Sequence, residues 1–105
     1  LPNYDKLKRT LKEFSATKPP EILVKDLEKR LMKPLNIERL PDKSGSSVIY
    51  YHPAVEEIKE GGIFLAHRIH GRKQETITKH DFKRYLLYAV EAVIEYEERH
   101  DSGNE

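Results

Sequence analysis

GSSVIYYHP, residues 45–53, decides how the rest of this chain is read. Val48, Ile49, Tyr50 and Tyr51 are β-branched or aromatic and fit a pleated surface, so Ser47 to Tyr51 predicts a strand. Pro53 lacks a backbone N–H and ends it. Upstream, Pro41-Asp42-Lys43-Ser44-Gly45 supplies the turn residues of a hairpin whose other arm is a weaker strand, Leu35 to Leu40. Downstream, Ala54 to Lys59 predicts a helical turn, and Gly61-Gly62 opens a third run, Ile63 to His70. Strict alternation there sets Ile63, Leu65, His67 and Ile69 on the expected core face, with Phe64, Ala66, Arg68 and His70 opposite. After Gly71, Lys73 to Ile77 reads as a short edge strand or a loop.

Helical periods bracket these strands. Thr78, followed three residues later by Asp81, resembles a capping box and starts a long helix at Lys79. Phe82, Leu86, Ala89 or Val90, and Val93 form its apolar stripe. Pro20 suits the first turn of an earlier helix carrying Leu23, Val24, Leu27 and Leu31, which Pro34 ends. Asn3 caps a first short helix in which Leu7, Leu11 and Phe14 recur. The expected class is α+β: a three-stranded antiparallel sheet packed on one face by the Pro20 to Met32 and Lys79 to Glu98 helices, an αβββα order with an extra N-terminal helix. Residues 1–18 form a peripheral helix in this reading, 19–100 a single domain and 101–105 a flexible tail.

With 105 residues, 37% of them hydrophobic, the chain has material for one core. A domain of this size buries roughly 65% of the surface its unfolded chain exposes. The absence of cysteine excludes disulfides, thiolate catalysis and cysteine-based zinc sites, and it suits the reducing cytoplasm, the expected location. No apolar run approaches the roughly 18 residues of a bilayer crossing, so no membrane partner is expected. Net charge is only +1, and the sign lies in its distribution. Arg68, Arg72, Lys73, Lys79, Lys83 and Arg84 stand against Glu75 and Asp81, six cations to two acids, whereas from Glu91 onward six acids face only Arg99.

Lys79, Lys83 and Arg84 fall on neighbouring helix positions near an N-terminus whose free N–H groups suit a phosphate. Arg68, Arg72, Lys73 and His80 complete the candidate nucleic-acid surface. The same pattern also describes a solvated helix face. Of the five histidines, His67 reads as a satisfied, partly buried side chain, and His70, beside Gly71 at a strand end, as the candidate for chemistry. Their spacing provides no shared metal site, and no metal or cofactor is expected. Tyr50 or Tyr51 offers a ring on which a base could stack.

These residues resemble the HicA toxin family, small messenger-RNA interferases with a fold like the double-stranded-RNA-binding domain. Gly45 and Ser46 match the opening of the family's strand motif, Ile49 and Tyr50 its hydrophobic and tyrosine positions, and His52-Pro53 its close. His70-Gly71 followed by Lys73 resembles the next step, and residues 19–94 are covered. Ser47 stands where the family has its catalytic histidine, and Val48 where it has the neighbouring one. The resemblance therefore implies an RNA-binding domain with weak or lost endoribonuclease activity, in which Ser47 and His70 line the site. It also implies an antitoxin protein as partner and membership of a toxin–antitoxin pair. The rival expectation is a protein-interaction module, a homo-oligomer in which the acidic end of one long helix meets the basic start of another.

Overall fold

The computed structural model describes residues 3–103. Two antiparallel sheets and three main helices build an α+β fold. Helix α1, Tyr4–Ser15, is capped by Asn3, whose side chain accepts the Lys6 N–H at 3.1 Å. Strand β1, Glu21–Leu23, runs directly into helix α2, residues 24–35, and Asn36 closes that helix in the left-handed region at φ 59°. Strands β2, Glu38–Leu40, β3, Ser47–Tyr51, and β4, Ile63–His67, follow, with a short helical turn at Pro53–Glu57 between β3 and β4. Strand β5, Thr76–Thr78, leads without a loop into helix α3, residues 79–103.

The three-stranded sheet has the order β2-β3-β4. The β3–β4 register pairs Ser47 with His67, Val48 with Ala66 and Tyr50 with Phe64. Val48, Tyr50, Phe64 and Ala66 are fully buried, which makes this the inner face. Alternation along Ile63 to His67 is real, but its polarity is the reverse of the sequence reading: Ile63 is 38% exposed and the His67 side chain 63%. Two apolar residues lie on each face of β4, so only the pairing with Val48 and Tyr50 decides which pair turns inward.

The second sheet pairs β1 with β5, Ile22 opposite Ile77. Val24 N–H to Glu75 O and Lys79 N–H to Pro20 O continue this ladder at both ends. It corrects the expected Pro20 to Met32 helix, whose first residues are extended because a distant segment hydrogen-bonds them. Both α2 and α3 then contain a π turn, Glu28–Met32 and Phe82–Leu86. In the second, Leu87 N–H reaches back to Phe82 O.

Leu27 and Leu31 of α2, and Phe82, Leu86, Ala89, Val90 and Val93 of α3, join the inner sheet face in one core. Leu7, Leu11 and Phe14 belong to the same cluster, with the Phe14 and Phe82 ring centroids 6.2 Å apart. Helix α1 is thus part of the core and not peripheral, and full burial of each such side chain is worth about 1.5–3 kcal/mol. The expected tail is helical as far as Gly103, and Asp101 accepts a hydrogen bond from the Tyr4 hydroxyl. Asn104 and Glu105 lie outside the described residues. Among the described residues no helix is long and apolar enough to cross a membrane.

Candidate nucleic-acid interface

The cations that the sequence groups together divide in the fold. Arg68 donates to Gly45 O at 2.9 Å and lies 3.6 Å from Glu75 Oε2. Arg72 grips Glu21 through Nε and Nη2, at 3.3 and 2.8 Å, which holds that carboxyl below its ordinary range. Lys79 is 6% exposed and donates to Glu13 O at the end of α1 at 3.2 Å. Burial, reinforced by Lys83, lowers its pKa from the ordinary 10.5. Arg68 and Arg72 are thus occupied and Lys79 is enclosed, which leaves four of the seven residues expected from sequence.

Lys73, His80, Lys83 and Arg84 remain exposed. Among the described residues none of the four has a carboxylate within salt-bridge distance, whereas Arg30, Arg68 and Arg72 each have one and Arg39 has two. Lys83 and Arg84 ride on the π turn of α3. The Arg84 guanidinium lies over the Tyr85 ring, 5.4 Å from its centroid, and Tyr85 meets the His67 ring edge-on at 5.9 Å. One end of the sheet thus carries a cation, a phenol ring and an imidazole in succession.

His67, expected from sequence to be a satisfied, partly buried side chain, is instead exposed. Arg68 N–H donates to Ser46 O and His52 N–H to Gly62 O, so these pairs hold the ladder bonds and the Ser47–His67 pair between them does not. At such positions the α-carbons approach to about 4.5 Å and both side chains stand on the same face. The His67 N–H points away from β3 and donates to Asp81 Oδ2 at 3.2 Å, while its Nδ1 lies 3.3 Å from the same oxygen. Asp81 is free to do this because the capping box is only half made. The Thr78 hydroxyl accepts the Asp81 N–H at 3.0 Å, and the Asp81 carboxylate goes to β4. A short acid at the third helical position was the sequence signal.

His70, the expected chemical residue, lies exposed in the turn with Gly71, beyond the end of β4. Strand pairing brings His67 and not His70 opposite Ser47. Ser47 is half-buried; its N–H donates to Asp42 Oδ2 at 2.8 Å, and its hydroxyl has no hydrogen bond among the described residues. His52 is a structural histidine: Nδ1 accepts the Ala54 N–H at 3.0 Å and Nε2 lies 2.8 Å from Glu97 Oε1. Among the described residues no group of three His, Asp or Glu side chains could hold a metal ion.

Behind this corner a charged network closes the other edge of the sheet. Arg39 on β2 reaches Glu28 of α2 at 2.7 Å and Glu75 at 2.8 Å, and Arg68 adds a second cation beside Glu75. The Glu75 carboxyl is held below its ordinary range, chiefly by the hydrogen bond from Arg39. The chain matches no protein-family model, no curated protein and no solved structure, so its resemblance to the HicA toxins rests on the residues quoted above alone.

Proposed function

We propose that the chain is an RNA-binding domain whose contact surface is the corner formed by the end of β4 and the first turns of α3. The observation that carries this reading is Arg84, which has no carboxylate partner among the described residues, lying over Tyr85 in the aromatic run Tyr85–His67. Cations that release counterions from phosphate, next to rings on which a base can stack, are the two components of single-strand recognition. Lys73, His80 and Lys83 are the other exposed residues available to a phosphate backbone, and the HicA-like strand motif supports RNA as the polymer. An acidic antitoxin-type protein would cover the same cations.

Fluorescence anisotropy with a labelled single-stranded RNA across a salt series tests the reading. Two to four phosphate contacts on a single strand give a slope of log affinity against log salt of about −1.4 to −2.8. Lys83→Glu with Arg84→Glu is expected to weaken binding at least tenfold and flatten that slope, while Arg72→Gln leaves both unchanged. Equal binding by the charge-reversed variant would remove the proposal.

A second reading, self-association, has its own observation. The outer sheet face presents Ile63, Leu65, Ile49 and Leu40 without a covering layer among the described residues. The helix-end pairing expected from sequence is weakened, because Glu97 and Glu98 are engaged by His52 and Lys8 and Asp101 by Tyr4. Sedimentation velocity of wild type and Leu65→Lys separates the two: a dimer that the substitution dissociates favours the sheet face.

A further inference from the structure

We infer that His67 is a proton-transfer residue, positioned by Asp81 and directed at the 2′-hydroxyl of bound RNA; the inference rests on the RNA-binding reading. Three independent features of the fold meet at this side chain. It stands on an open face, 63% exposed, so Nε2 can reach a ligand. Its other nitrogen is held by a carboxylate that is itself 19% exposed, and the same Oδ2 accepts the His67 backbone N–H, so ring and main chain are anchored at one point. Tyr85 limits ring rotation from the side at an interplanar angle of 81°. With Nδ1–H donated to Asp81, the lone pair lies on Nε2, the tautomer a general base requires.

The neighbours select the chemistry. Serine, histidine and aspartate together suggest acyl transfer, but that reaction needs backbone donors for an oxyanion, and the Ser47 N–H is already given to Asp42. Arg84, over the Tyr85 ring that meets His67, suits a phosphate instead. In the step proposed, Nε2 takes the proton of a ribose 2′-hydroxyl, O2′ bonds to the adjacent phosphorus, and the bond from phosphorus to O5′ breaks. The leaving O5′ takes a proton from water, and the hydroxide formed is neutralised by the imidazolium proton. A 2′,3′-cyclic phosphate and a 5′-hydroxyl result. Ser47, opposite His67, has a hydroxyl free to hydrogen-bond the nucleotide.

The experiment incubates the full chain with an oligonucleotide carrying one ribonucleotide in a deoxy background and with the all-deoxy control, and separates products by chromatography. Cleavage after the ribonucleotide, with a cyclic phosphate end, is expected for wild type only on the first substrate. His67→Ala should lower the rate at saturating RNA at least 100-fold, with activity partly restored by added imidazole. Asp81→Asn should lower kcat with KM unchanged, and His70→Ala should have no effect. Circular dichroism confirms that each variant is folded. Wild-type binding without cleavage, or full cleavage by His67→Ala, overturns the inference and leaves the binding reading intact. Absence of RNA binding by wild type overturns both, and labelling of Ser47 by a fluorophosphonate assigns the cluster to acyl chemistry and overturns the inference.

Discussion

Tyr50, on the middle strand of the sheet, donates its phenolic hydrogen to Glu28 Oε2 on α2 at 2.8 Å. The ring is fully buried and lies 5.8 Å from that of Phe64, and burial together with this bond raises the phenol's pKa. Sheet and helix are thus joined by one directional contact inside a largely non-directional core. Removing it in Tyr50→Phe leaves Glu28 paired with Arg39, so the expected loss is about 1–2 kcal/mol, read from urea unfolding at unchanged slope.

Phe64 and Leu65 are adjacent on β4 and differ in which face they occupy. Phe64→Ala empties a fully buried site and should cost about 3–5 kcal/mol. Leu65→Ala, on the outer face, should cost under about 1 kcal/mol. Chemical denaturation of the two variants side by side checks the polarity of the strand, and the opposite ranking would reverse it.

Gly62 sits at φ +68°, and a β-carbon there would meet Glu56 Cγ at 2.8 Å and Tyr51 Cε1 at 2.9 Å. Gly71, at φ +82°, has open space around it. Gly71→Ala bears only the backbone penalty of about 1 kcal/mol, whereas Gly62→Ala adds overpacking of about 1–3 kcal/mol. Thermal melts should show the larger drop in Tm for Gly62→Ala.

Lys79 predicts a pH effect. Its folded pKa is lowered from 10.5, chiefly by burial, so between the folded value and 10.5 the unfolded chain binds more protons and stability rises with pH. Lys79→Met removes the buried charge, and Glu13 O keeps the Ala16 N–H as a partner. The variant should match or exceed wild type by about 1 kcal/mol at pH 7, with the difference shrinking as pH approaches 10. Denaturant midpoints at several pH values measure it, and a marked loss at neutral pH would contradict the account.

Local chemistry made some of this fold legible and hid the rest. Ser47 to Tyr51 could be read because its residue types and Pro53 act within the segment itself, and the start of α3 because Thr78 caps its own neighbour. Strand β1 could not. Leu23 and Val24 continue the helical stripe of Leu27 and Leu31, and only hydrogen bonds from β5 draw Glu21–Leu23 out straight. The site failed for the same reason. Lys79 resembles a surface lysine until α1 closes over it, and the exposure of His67 follows from a face assignment that β4 alone leaves degenerate. Asp81 belongs to a cap in sequence and to a histidine in space.

The short ladder of Glu21–Leu23 with Thr76–Thr78 also governs what happens if the polymer is interrupted. Residues on either side of the Pro41–Gly45 turn are already joined by this ladder, by the β2–β3 pairing and by the packing of Phe14 on Phe82. A nick in that turn would leave two fragments with complementary edges and a shared interior. The molecule is therefore built as a natural pair of halves, suited to reassembly from separately expressed pieces.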